Sequence, residues 1–390
     1  MKAKLRKLEM LRGFAALYVF ATHVAPAHLL AKGSRMGFVF GFGQEAVMLF
    51  FLISGFVVYY STTKHGDKSF RPYLARRIRR IYPIYLLALV LSFASVTLPG
   101  QPNAAKPPFT QVLGNICMLQ DFSDVKPGVW VSTLGGNTAL WSLSYEWWFY
   151  MLFFPLYRFV PTRAQIHVAA AVSLLGLVTF WLRANQVSLF LMYFILWWSG
   201  AELASAYLER VPLTLTSQRR SIIYLALLSA LLACPVLLSL VRHHALRFGI
   251  HPVLELRHFC ACLVLLLTGL LWARLRWLGF ELLFGIFALA APISYALYVF
   301  HIPLLVTSSY LGGISNPAVA LCGYIVVAFG VAYVAEIPFQ RWVDRLTVSW
   351  IQDSKHGPWR STAVDAAVAK NIAAASVVVP NSDRAGGIDG

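Results

Sequence analysis

The chain has 390 residues, of which 58% are hydrophobic and only 13% charged, and its 33 Lys and Arg against 16 Asp and Glu leave a net charge of +17. Soluble domains carry about 25% charged residues, so composition excludes a soluble globule of this length and points to an all-α, polytopic transmembrane helix bundle. The basic excess sits in short stretches between apolar segments, which argues against nucleic acid as a partner and for basic residues held on one side of a bilayer.

A membrane helix needs about 20 mostly apolar residues. On that measure spans are predicted near 9–30, 44–62, 82–99, 139–157, 166–182, 187–207, 220–241, 257–273, 292–311 and 317–337, about ten in all. Residues 279–291 read as an interfacial helix or the start of the ninth span. The basic residues Lys2, Lys4, Arg6 and Lys7 resemble the start of a cleaved leader, but Glu9 and Arg12 interrupt the apolar run where a leader is clean, so residues 1–30 read as a retained first span. With the N-terminus inside, Lys and Arg favour the inner segments by about three to one, and an even number of spans puts both termini in the cytoplasm.

The segment 99–138 is the long outer loop, rich in Pro, Gly and Asn, and loops of that length are usually functional or disordered. Residues 1–345 form the transmembrane domain. Residues 346–390, rich in Ala, Ser, Asp and Gly, read as a disordered cytoplasmic tail. No internal repeat of the kind that builds paired transporter halves is visible. The five cysteines (Cys117, Cys234, Cys260, Cys262 and Cys322) have neither metal-site nor disulfide spacing and read as small buried hydrophobes, so no metal is expected.

Within the first span, Arg12 and His23 are eleven residues apart, so they share one helix face about 16 Å apart along the axis. Ionisable groups inside a membrane are costly and face a bundle interior or a watery cavity. His23 can serve as a general base; the alternative is a hydrogen-bonded structural histidine with Arg12 snorkelling to the headgroups. In the second span, Ser54 and Gly55 read as packing residues, because no general base lies within Ser54's own helix turn. Glu45 could pair with Arg12 or His23 if the first two helices touch. Before the third span, Arg76, Arg77, Arg79 and Arg80 are either an anchor for anionic lipid or a phosphate clamp; Arg77 and Arg80 share a face. In the fourth, Ser142, Glu146 and Tyr150 follow at i, i+4 and i+8, placing two hydroxyls and a carboxylate on one face. Trp141, Trp147 and Trp148 could form an interfacial belt. In the ninth, Tyr298 and His301 share a face, while Glu202 and Glu336 are further span or span-end carboxylates.

Taken together, the runs Leu11–Ala16 with His23, Leu49–Phe56, Arg76–Pro83, Trp141–Glu146, and Ser294–Tyr298 with His301 resemble, in order from about residue 8 to residue 340, the acyltransferase type 3 family of integral membrane acyltransferases. The run Gln44-Glu45-Ala46-Val47 departs from it, since relatives more often carry a glycine near Ala46. The resemblance implies a multi-pass enzyme of the bacterial cytoplasmic (inner) membrane. It would move an acetyl or other short acyl group from cytoplasmic acyl-CoA, a substrate rather than a bound cofactor, to a hydroxyl of a cell-surface or exported glycan such as an exopolysaccharide or lipopolysaccharide O-antigen. On that resemblance His23, Arg12 and Glu146 are catalytic and Arg77 and Arg80 bind the donor. Ser142, Tyr150, Tyr298 and His301 support them, and Glu146 is expected to orient a histidine or an arginine. No hydrolase-like domain is recognised after the bundle, so transfer is expected to finish within it. The partners are then acyl-CoA, a free or lipid-linked glycan and membrane lipid. The rival reading is a proton-coupled glycan or lipid transporter or flippase, which intramembrane His, Glu and Arg also suit.

Overall fold

Among the described residues, helix runs through each of the segments in which the apolar runs predict a span. The computed structural model describes residues 2–29, 35–67, 69–98, 106–306, 310–311 and 313–353. The chain divides into two compact units, Met1–Val343 and Asp344–Gly390. The described helices are α1 (Lys2–Val24), α2 (Gly43–His65), α3 (Phe70–Thr97), α4 (Phe109–Ile116), α5 (Trp141–Phe159), α6 (Thr162–Leu182), α7 (Gln186–Leu208), α8 (Arg219–Val241), α9 (Val253–Arg274), α10 (Phe280–Phe284), α11 (Ser294–His301), α12 (Pro317–Val334) and α13 (Gln340–Asp353). Local sequence fixes several ends. Asn185 caps α7 by accepting from the Ser188 amide at 2.9 Å while the Ser188 hydroxyl accepts from the Asn185 amide at 3.2 Å. Gly66 closes α2 at φ 63°, a conformation that suits glycine.

Seven of these helices are long and apolar enough to cross a membrane, or eight if the bent pair Phe280–Leu289 and Ala291–Val306 is one span. The sequence reading of about ten differs because α1 carries Lys, Arg and Glu in its first half and α5 is rich in Trp, Tyr and Ser, so neither passes on apolarity. Most of the segment 279–291 forms the first arm of the bent pair, Phe280–Leu289, and the pair turns by 48°. The third helix begins at Phe70 rather than near 82, because no breaker lies between Phe70 and the arginines except Pro72, which the first turn tolerates. The arginines are therefore helical. The expected tail boundary at 345 falls inside α13, and residues 354–390, for which disorder is expected, lie outside the described residues.

Two glycines set the tightest helix contact. A Cβ on Gly55 of α2 would collide with the Trp197 carbonyl of α7, and one on Gly200 of α7 would collide with the Leu52 carbonyl of α2. Small residues at such a crossing let backbones meet. The reverse faces of the outer helices expose large apolar side chains, among them Val90, Leu175, Ile223, Val264 and Val326. A water-soluble surface rarely tolerates so much contiguous apolar area, whereas lipid favours it. Four of the five cysteines lie on exposed faces and only Cys262 is buried, which corrects the reading of the group as core residues.

The long loop is folded where it is described. Residues 106–138 carry α4 and a two-residue parallel pair, β1 (Gln120–Asp121) with β2 (Val131–Ser132). Lys126 pairs with Asp121 at 3.0 Å, both buried, and Asp121 also accepts from the Tyr145 hydroxyl at 2.6 Å. The ammonium lies over the rings of Trp141 and Tyr145. Burial pulls the Lys126 pKa below its ordinary value, and the Asp121 charge opposes that shift. A buried pair with this many partners pins the loop onto α5.

Candidate functional site

Two cavities lie along α1. The one at the His23 end has a volume of about 230 Å³ and includes Thr22, His23, Gln44, Phe122, Thr138, Trp141, Phe248 and Tyr298 in its wall. The one at the Arg77 end, about 160 Å³, includes Arg12, Phe50, Ser54, Arg77, Arg80, Ser142, Glu146, Tyr150, Tyr295 and Tyr298. Tyr298 borders both, and its hydroxyl lies 2.7 Å from that of Ser142.

At the first cavity the two sequence-nominated histidines meet. His301 Nε2 lies 3.2 Å from His23 Nδ1. His301 Nδ1 sits 2.7 Å from the Tyr298 carbonyl and 3.2 Å from that of Leu297, so it must carry the proton, leaving Nε2 as an acceptor. His23 Nδ1 lies 3.0 Å from the Val19 carbonyl and carries a proton for the same reason, shared with His301. His23 Nε2 is therefore the lone-pair nitrogen, and it has no partner among the described residues. A neutral imidazole held in this tautomer is prepared to accept a proton on Nε2.

The second cavity is built from cations and a carboxylate. Arg12 donates through Nη2 to the Ala291 carbonyl at 2.7 Å. Gly13 permits that approach, since a Cβ there would collide with the Phe287 carbonyl. Arg77 donates to the Ser61 hydroxyl at 2.9 Å and lies over the rings of Tyr73 and Tyr150. Nε of Arg12 and Nε of Arg77 are buried without an acceptor among the described residues, so both retain donor capacity. Arg80 differs. It pairs with Glu336 at 2.5 Å, and the other Glu336 oxygen accepts from the Ala296 amide at 3.0 Å in the first turn of α11.

The i, i+4, i+8 face of α5 is as read from the sequence, with Ser142, Glu146 and Tyr150 all in the second cavity wall. The partners of Glu146 are different from those expected. Among the described residues it makes no hydrogen bond to a histidine or an arginine; it accepts from the Ser54 hydroxyl at 2.7 Å and from the Tyr150 hydroxyl. Ser54 also accepts from Trp197 Nε1 at 3.1 Å. Its neighbour Gly55 packs as predicted, but the carboxylate that partners Ser54 arrives from α5, 92 positions away. Glu45 pairs with Arg257 and not with Arg12 or His23. Trp141 and Trp147 are buried, which removes them from an exposed belt. Sequence reasoning missed Gln44, Tyr193 and His258; the one available signal was His258, a polar group at the head of an apolar run.

Outward apolar faces around two cavities that carry polar groups define a multi-pass membrane bundle. The chain belongs to the acyltransferase type 3 family: the family model described as an acyltransferase domain matches residues 5–337. Acyltransferase MdmB of Streptomyces mycarofaciens is 32% identical over 182 residues, which is 44% of each chain, so the match spans less than half of that relative's length. No solved structure matches the chain.

Proposed function

We propose that the protein is a membrane acyltransferase that moves an acetyl or other short acyl group from acyl-CoA to a hydroxyl of a cell-surface or exported glycan. The observation that carries this reading is the free Nε2 of His23 in one cavity, with the buried donors of Arg12 and Arg77 in the next, the two meeting at Tyr298 and Ser142. The basic residues favour the Arg77 end as cytoplasmic, with both termini on that side of a bacterial inner membrane. Acyl-CoA enters there, with Arg77 on a phosphate and Arg80, kept in its ion pair with Glu336, beside it.

The acceptor enters from the His23 end. Its hydroxyl gives its proton to His23 Nε2 as the oxygen bonds to the thioester carbonyl carbon. The carbon–sulfur bond then breaks and the departing thiolate takes that proton, leaving ester and free CoA. Arg12 steadies the charge that develops on the carbonyl oxygen. Family membership and the acyltransferase name of the relative support this reading over a flippase, which would draw on the same buried ionisable groups. Radiolabelled acetyl-CoA added to membranes containing the protein tests it. Label in the glycan fraction supports transfer, and glycan movement without label overturns it.

A further inference from the structure

The His23 cavity contains polar side chains that the reaction above leaves unused, and Gln44 is one of them. Gln44, in the first turn of α2, lines it with Thr22 and His23. Its oxygen is already committed. Gln44 Oε1 lies 3.0 Å from His258 Nε2, and His258 Nδ1 lies 2.7 Å from the Tyr193 hydroxyl. His258 and Tyr193 are fully buried, and the His258 ring stacks on Trp141 with centroids 5.7 Å apart and planes 6° from parallel.

The direction of these bonds follows from the donor inventory. His258 Nδ1 is the acceptor within reach of the Tyr193 hydroxyl among the described residues, so the O–H donates there. Nε2 then carries the imidazole proton and donates to Gln44 Oε1. This chain of bonds fixes which way the amide faces. The Gln44 NH2 group has no protein acceptor among the described residues, and the side chain borders the cavity. Stacking and burial hold the imidazole, so the amide cannot turn over without leaving Nε2–H unpaired, at a cost of about 1–3 kcal/mol.

We propose that Gln44 is a specificity-determining residue for the acceptor. Its amide N–H donates to an acceptor oxygen adjacent to the hydroxyl held at His23, while His258 and Tyr193 act as positioning residues. The acceptor chemistry that fits is a polyhydroxylated ring. Phe122, Trp141 and Phe248 line the cavity with aromatic carbon, and a few oriented polar atoms select among its oxygens. This inference rests on the acyltransferase reading.

The test mixes membranes containing the protein with membranes from cells deleted for its gene, which retain the natural acceptor, and follows label from radiolabelled acetyl-CoA. Gln44→Glu keeps the shape and removes the donor; Gln44→Met keeps the length and removes all hydrogen bonding. Each is expected to raise the quantity of acceptor membranes needed for half-maximal transfer about tenfold while leaving the acetyl-CoA requirement unchanged, that factor being worth 1.4 kcal/mol. His258→Phe, which can still stack on Trp141, should reproduce part of the shift at equal membrane abundance. An unchanged acceptor requirement in both Gln44 variants, or a shift in the acetyl-CoA requirement instead, overturns the inference with the enzyme reading intact. Absence of label with the unaltered protein overturns the enzyme reading and this inference together.

Discussion

The two cavities use opposite electrostatic designs. At the His23 end the cation in the wall, Arg257, is neutralised by Glu45, while His23 and Gln44 are neutral and each is held in one orientation by a carbonyl or another ring. At the Arg77 end three arginines share the wall with the Glu146 carboxylate, and among the described residues only Arg80 of the three is held in an ion pair. Neutral, oriented groups suit proton transfer and the sorting of hydroxyls, since they cost little to bury and discriminate by geometry. Unneutralised cations in an apolar bundle are expensive and are retained where an anion arrives to pair with them. On the proposed reading, the difference suits the first cavity to an acceptor and the second to a donor.

The sharpest test of that contrast is His23→Ala, which removes the free Nε2. Transfer is expected to fall by about 10²–10⁴-fold at equal membrane abundance; a normal rate in the label assay would break the assignment. Next comes Arg80→Ala, which leaves Glu336 buried with only the Ala296 amide. Because Arg80 is itself 44% exposed, the expected destabilisation is about 2 kcal/mol, below the range for a fully buried pair, and is read from thermal unfolding in detergent. Arg77→Ala should behave differently. Stability holds, and the acetyl-CoA concentration for half-maximal transfer rises about tenfold, or 1.4 kcal/mol. Equal effects from the two arginines would erase the distinction between a committed and an available cation. The smallest effect is expected for Ser142→Ala, which removes one hydrogen bond where the cavities meet and should lower transfer about fivefold, near 1 kcal/mol, with both half-saturation values unmoved.

Features written in helical periodicity were legible in the sequence. Arg12 and His23 on one face, the Ser142–Glu146–Tyr150 row and the positions of the long helices all follow from 3.6 residues per turn. What periodicity does not encode is which helices touch. Ser54 looked isolated because a general base was sought within its own turn, whereas Glu146 reaches it from α5. Glu45 finds Arg257 on α9 for the same reason. His301 was read beside Tyr298, yet its ring nitrogen meets that of His23, 278 positions away. Hydropathy also misjudged helices in both directions. It started α3 late, because arginines that snorkel belong to the helix, and it gave no sign that residues 106–138 would fold onto α5 around a buried Lys126.

The crossing of Gly55 and Gly200 has one more consequence. Backbone rests on backbone there, so the α2 wall of the Arg77 cavity cannot retreat to make room. On the proposed reading that wall would serve as an inelastic gauge. Acyl chains of different length would be measured against Phe50, Ile53 and Val57, which face the cavity from the same helix. Trimming one of those side chains, rather than loosening the helix pair, is how the gauge would be reset.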